Sequence, residues 1–190
     1  MSSSPAPPLL LASTSPRRTE ILEMLRLPFD VVAPDYEENE ADPVAHAVGK
    51  ARSVLAQADG RPVLGCDTEV ILDGRVYGKA GGPAEADEML ESLAGRTHEV
   101  VSGLALLTAA WEDVHRVVTR VTFRELTARD LASYVASGEW EGRAGAYAIQ
   151  GFGASLVERV EGDYLNVVGL PAATLVRVLS ERYAGLYGFG

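Results

Sequence analysis

A short apolar run followed by a proline-opened helical pattern recurs along the first half of this chain, and that pairing limits the fold more than any other feature. The first instance is "LLLASTSPRRTEILEML". Residues 8 to 13 read as a buried strand, and Ser15 then caps a helix with Pro16 at its first position, running to about Leu25. Proline suits the first helical position because its missing N–H would have no partner there and its φ is already helical. Ile21, Leu22, Met24 and Leu25 supply the apolar face of that helix. "FDVVAP" reads as a second strand, and Asp42-Pro43 opens a helix through "AVGKARSVLAQ". "PVLGCDTEVIL" reads as a strand with a break allowed near its aspartate, and Asp73-Gly74 is a hairpin turn into "RVYG". A third helix, "GGPAEADEMLESLAG", has Pro83 early and Gly95 past its end.

The second half changes pattern. "HEVVSGLALLTA" and "VHRVVTRVTFREL" read as two antiparallel strands, followed by a helix capped by Thr127, a glycine-rich loop, a further strand and a closing helix over "PAATLVRVLSERYAG". Strand–helix alternation joined to a hairpin pair predicts an α/β fold with a mixed, partly antiparallel sheet flanked by helices. At 190 residues the chain fits one domain, or one domain with two lobes. Residues 1–8 read as a flexible Ser/Pro tail and 9–190 as the single domain. No apolar run reaches the roughly 18 residues of a bilayer span, and no basic segment precedes the N-terminal leucines. With Cys66 as the only cysteine there is no disulfide framework, and the cytoplasm is the default compartment.

The net charge of −10 argues against binding a nucleic-acid polymer through its phosphates. A phosphate compound would need a local pocket, with a divalent metal. Of the 17 basic residues only Lys50 and Lys79 are lysines. In so arginine-rich a chain, a surviving lysine suits a place where a compact point charge is needed, although chance would also explain two.

"STSPRR" raises a question of sign. A helix N-terminus carries partial positive charge, so Arg17 and Arg18 in the first turn are each unfavourable by roughly 0.3–1 kcal/mol unless an anion compensates. Ser13, Thr14 and Ser15 offer hydroxyls beside them. The stretch is either a phosphate cradle or a surface turn with two solvated arginines. The run Glu37, Glu38, Glu40 is either a solvated acidic loop or a cation site. Asp67 lies inside a strongly apolar strand and must be paired, metal-bound or at the strand's open end. Glu69, two residues on, shares a strand face with it and is a rival or a partner. Gln150, between glycines in "GAYAIQGFG", is a turn residue or an amide reading the edge of a uracil or thymine ring. His46, His98 and His115 show no ligand spacing and read as structural or solvated, and Cys66 as a small core residue.

Taken in order, "LASTSPRRTEIL", "EE", "GKAR", "GCDTEVILDGRVYGKA", "THEVVSGLAL", "GAYAIQG" and "NVVGLP" resemble the Maf family of nucleoside triphosphate pyrophosphatases over nearly the whole chain. The resemblance implies an elongated, two-lobed α/β domain with a central cleft, similar to that of inosine triphosphate pyrophosphatases. It implies hydrolysis between the α and β phosphates with Mg²⁺, Mn²⁺ or Co²⁺ as cofactor. It makes Asp67 the proton acceptor and a metal-site residue with Glu38, and it matches Ser13, Arg17, Lys50 and Lys79 to phosphate-holding positions. Thr68 and Gln150 match base-selecting positions, and "YAIQG" is similar to the subgroup acting on dTTP and UTP. Two departures stand out: Ala80 where the family often has proline, and Glu69 where it is usually apolar. A small-molecule nucleotide is then the partner, a homodimer is compatible, and no membrane is involved. The rival readings are a nucleotide-binding regulator of septum formation, and the same chemistry on a purine nucleotide.

Overall fold

The computed structural model describes residues 6–38 and 42–189. Most of the expected tail, and Glu40 of the acidic run, lie outside the described residues. The strands are β1 (Leu9–Ala12), β2 (Phe29–Val32), β3 (Val63–Leu72), β4 (Arg75–Tyr77), β5 (Thr97–Leu107), β6 (Glu112–Phe123) and β7 (Val157–Glu161). The helices are α1 (Pro16–Met24), α2 (Pro43–Val54), α3 (Pro83–Leu93), α4 (Ala128–Ser137), α5 (Tyr164–Val168) and α6 (Ala172–Tyr183).

The strands form one seven-stranded open sheet in the order β2-β1-β3-β5-β6-β7, with β4 added to β3. It is mixed: β1 runs parallel to β2 and β3, whereas β3–β4 and β6–β7 are antiparallel. The pairs Thr97–Thr122 and Glu99–Arg120 advance in opposite directions along β5 and β6, as antiparallel neighbours do. The chain divides into two compact units: residues 1–67, 102–117 and 169–190, and residues 68–101 and 118–168.

In the first unit, α2 covers the sheet. Its Ala47, Ala51 and Val54 pack with Leu10, Ala12, Val63, Ala105 and Leu107 in one buried cluster. The contact is closer than side chains permit. A Cβ on Gly65 of β3 would lie 2.0 Å from the Ala47 carbonyl oxygen, and one on Gly103 of β5 would lie 2.1 Å from that of Pro43. Helix backbone therefore rests on strand backbone, and only glycine fits at the two strand positions. Gly49 solves a similar problem on α2, where a Cβ would stand 2.1 Å from the Tyr36 ring. A mid-helix glycine costs about 1 kcal/mol relative to alanine, and here it admits Tyr36 from the loop ahead of α2.

In the second unit, α4 carries a full capping box: the Thr127 hydroxyl accepts from the Asp130 N–H and the Asp130 carboxylate accepts from the Thr127 N–H. Asp73 and Gly74 both take positive φ (50° and 79°), which builds the β3–β4 hairpin. Asn166 is fully buried and its amide donates to the Val100 carbonyl and the Thr119 hydroxyl, so the asparagine of "NVVGLP" is an internal brace.

Three local expectations change. The β3 strand runs unbroken through Asp67. Met24 is 61% exposed, because burial on α1 follows Arg18, Ile21 and Leu22 instead. Ser15 occupies the N-cap position without a side-chain capping bond. The 3-10 turn Gly151–Leu156 is an addition within the glycine-rich stretch that reads as loop and strand, and α5 lies between the further strand and the closing helix, where the sequence pattern assigns no element. Among the described residues no helix is long and apolar enough to cross a membrane.

Because Gly65 meets helix backbone and not a movable side chain, Gly65→Ala should destabilise the protein by about 1–3 kcal/mol or more. Thermal unfolding of the variant should fall by roughly 3–10 °C. An unchanged melting temperature would mean that α2 does not rest on β3 in this way.

Candidate active site

The first unit gathers a cluster of ionisable groups around Asp67. Gly65 and Asp67 lie two apart on β3, so both face the helix that Gly65 admits. His46 and Lys50 are one turn apart on α2, and both reach the Asp67 carboxylate. The Lys50 ammonium donates to Asp67 Oδ1 at 2.6 Å, and His46 Nδ1 stands 3.3 Å from Oδ2. Lys50 also binds Glu38 Oε1 at 2.5 Å. The side chains of His46, Lys50 and Asp67 are 6%, 11% and 13% exposed, against 51% for Glu38. A buried strand carboxylate thus has its partners, two of them from a single helix face.

Tyr36 meets the His46 ring edge-on, with centroids 6.0 Å apart. It anchors the loop that delivers Glu38 two residues later, in the space kept by Gly49. One ammonium held between two carboxylates at these distances marks a place where a compact cation is favoured. One ligand atom each from Glu38, His46 and Asp67 lies within 4.8 Å of the others. Two oxygens and a nitrogen with that spread fit a divalent ion.

The two arginines of "STSPRR" part company. Arg18 is buried, with Nε donating to the Gly169 carbonyl at 3.0 Å and Nη1 to the Ser13 hydroxyl at 3.0 Å. The Gly169 carbonyl also faces the buried Cys66 thiol at 3.5 Å. Arg18 therefore ties α1 to "NVVGLP", and its charge is spent on internal acceptors. Ser13 is buried, and its oxygen accepts from Arg18 and from the Ser15 N–H. Arg17 is half-buried in the first turn of α1, near Gly169.

Lys79, Thr68 and Gln150 belong to the second unit. Lys79 forms an antiparallel bridge with Ala144, and the Gly145 N–H donates to the carbonyls of Tyr77 and Gly78. "YGK" is thereby laced to "RAGAY". Thr68 is half-buried on β3, and Gln150 is exposed at the head of the 3-10 turn. The Gln150 loop is held from three sides. Glu139 accepts the N–H groups of Phe152 (2.9 Å) and Gly153 (3.0 Å), and the Tyr134 hydroxyl accepts that of Ala148 (2.9 Å). His98 Nε2 pairs with the Tyr147 hydroxyl at 2.8 Å, beside Phe123.

Sequence reasoning left out His46 and the loop brace Glu139. The four-residue spacing of His46 and Lys50 on one helix was a usable signal. Glu139 gave none, since its contact to the 3-10 turn is purely tertiary.

Residues 8–182 match the family described as Maf-like protein. The chain belongs to the Maf family. It is 45% identical over 181 residues to a protein of Gloeobacter violaceus named dTTP/UTP pyrophosphatase, covering 91% of this chain and 95% of that one. A Moorella thermoacetica protein of the same name is 46% identical over 189 residues, covering 95% and 97%. One from Bacillus cytotoxicus is 45% identical over 183 residues, covering 93% and 96%. These matches run through both compact units of the Maf chain.

Burial holds the His98 imidazole down to a pKa of about 4, against 6.5 ordinarily. The unfolded chain therefore takes up this proton first as pH falls. The resulting stabilisation is complete above about pH 6.5 and is lost toward pH 4, by an amount of order 3 kcal/mol. Urea unfolding at pH 7 and pH 4.5 should show a smaller pH-dependent loss in His98→Gln than in the parent. Equal losses would mean that His98 is not the source of this pH dependence.

Proposed function

We propose that this Maf chain is a nucleoside triphosphate pyrophosphatase acting on dTTP and UTP, giving the monophosphate and pyrophosphate. The observation that carries the reading is the Asp67 carboxylate held by Lys50 and His46 beside Glu38, in a chain matched over 91–95% of its length by relatives named for that activity.

In this reading water attacks the α-phosphorus, a P–O bond forms, and the bond from that phosphorus to the bridging oxygen breaks. Pyrophosphate leaves with the bonding electrons. Asp67 accepts the proton of the attacking water. An ordinary aspartate is a weak base near its usual pKa of about 3.9, so its orientation matters, and α2 fixes it through both oxygens. A divalent ion at Glu38 and Asp67, one of Mg²⁺, Mn²⁺ or Co²⁺, would supply a more acidic water and charge neutralisation. Lys50, Arg17 and Lys79 are assigned to the phosphates, where they offset a substrate charge that a chain of net −10 would otherwise repel. Ser13 serves by holding Arg18 and thus the start of α1. Thr68 and Gln150 are assigned to the base. The bracing of the Gln150 loop by Glu139, Tyr134 and His98 supports a pre-formed reader, since an amide that must discriminate rings gains from being fixed in advance.

The test incubates the protein with each triphosphate and Mn²⁺ in ¹⁸O-water. Turnover of dTTP and UTP should put the label in the monophosphate, and Asp67→Asn should lower the rate at least about 100-fold. Label in pyrophosphate, turnover of purines alone, or full activity in Asp67→Asn each contradicts the corresponding part. Gln150→Ala should cut dTTP turnover by roughly tenfold or more while leaving product inhibition by pyrophosphate nearly unchanged. Equal weakening of both would remove Gln150 from the base.

A further inference from the structure

We infer that His46 is a nitrogen ligand of the divalent cation at Asp67 and biases that site toward Mn²⁺ or Co²⁺ over Mg²⁺. The inference rests on the preceding reading only in placing a cation at this carboxylate.

The first argument is the spacing of the two ligand atoms. His46 Nδ1 and Asp67 Oδ2 are 3.3 Å apart. A charge-assisted hydrogen bond between such groups closes to about 2.7–2.9 Å. Two ligands about 2.1 Å from one ion, subtending 90–109°, stand about 3.0–3.4 Å apart. The pair has the separation of neighbouring ligands and is wide for a charge-assisted hydrogen bond.

The division of the carboxylate is the second argument. Lys50 takes Oδ1 and His46 faces Oδ2. An ion shared between His46 and Oδ2 leaves the Lys50 contact to Oδ1 in place. Glu38 lies within reach as the third ligand, all three ligand atoms falling within 4.8 Å.

The third argument is burial. His46 is 5% exposed, and its Nε2 is buried with no hydrogen-bond partner among the described residues. Leaving one ring nitrogen unsatisfied costs free energy that an apolar residue here would avoid, so the imidazole needs a compensating role at Nδ1. The same observation limits the strength of the site. Metal-binding histidines usually donate their second N–H to an acceptor that fixes the ring. Among the described residues none serves His46 Nε2, so the site holds its ion less tightly than a fully braced one would.

Ligand chemistry then sets the preference. Mg²⁺ favours oxygen and retained water, whereas imidazole suits transition ions. A site of two carboxylates and one imidazole discriminates against Mg²⁺ through the nitrogen alone.

The test uses Mn²⁺ and the full chain without nucleotide. Pulsed EPR of the bound ion should show ¹⁴N coupling from a directly ligated imidazole. His46→Gln keeps a hydrogen-bond donor but should lose that coupling and raise the Mn²⁺ dissociation constant about tenfold or more, with Mg²⁺ affinity changed by less than about threefold. His46→Leu should behave alike, and circular dichroism checks that both fold. Bound Mn²⁺ without ¹⁴N coupling in the parent, coupling that persists in the variants, equal losses for both ions, or no Mn²⁺ binding at all overturns the inference. If neither variant folds, the parent spectrum decides it. None of these results bears on nucleotide turnover, so failure here leaves the pyrophosphatase reading standing.

Discussion

The structure depends on one close approach, that of the α2 backbone to the β3 and β5 backbones at Gly65 and Gly103. Elsewhere in such proteins a helix rides on a layer of side chains, and a short polar group on the strand beneath it would be out of reach. Here the layer is missing at Gly65, so Asp67 on the same strand face comes within hydrogen-bond distance of His46 and Lys50. Ala47, the residue over Gly65, lies between them in sequence and joins the apolar cluster below. One helix thus uses one side for the core and an adjoining side for the ionic cluster. The same residue type then works in the opposite sense at Gly49, where the missing side chain makes room for Tyr36 and so brings Glu38 to Lys50.

Electrostatics gives the cluster its character. Lys50 is buried and serves two carboxylates, so Asp67 is not left as an uncompensated charge in a place poorly reached by water, and the same ammonium meets the half-exposed Glu38. Lysine suits this better than arginine, since a single ammonium nitrogen fits between two oxygens where a planar fork would not. At the start of α1, by contrast, arginine is the better choice: Arg18 reaches a carbonyl and a hydroxyl through separate nitrogens. The unfavourable sign of two cations at a helix N-terminus is thereby met in two ways. Arg18 is stabilised by internal acceptors, and in the proposed function Arg17 would be offset by an incoming phosphate.

Much of this was legible in the sequence where local chemistry decides. Pro16, Pro43 and Pro83 open their helices where the pattern predicts, and Asp73-Gly74 turns the hairpin. The mixed sheet follows from early alternation and the later hairpin pair. Asp67 stood out because a carboxylate in an apolar strand needs a partner, and Lys50 because lysine is rare in this chain. What escaped depends on contacts far apart in sequence. The break that the pattern allowed at Asp67 is absent because His46 and Lys50 satisfy the carboxylate without disturbing the strand. Met24 fits the helical pattern yet is exposed, since Arg18 takes part of the buried face. The grouping of Arg17 with Arg18 came apart because only the fold supplies the Gly169 carbonyl.

The central claim is that the Asp67 carboxylate, gripped by α2, is the centre at which cation and triphosphate meet. Crystals grown with Mn²⁺ and an α,β-imido analogue of dTTP test it most directly, through the anomalous signal of the ion. The account predicts a manganese peak about 2.2 Å from an Asp67 oxygen, with the α-phosphate beside it. A peak on other residues, with nucleotide bound and Asp67 still held only by Lys50 and His46, would contradict it.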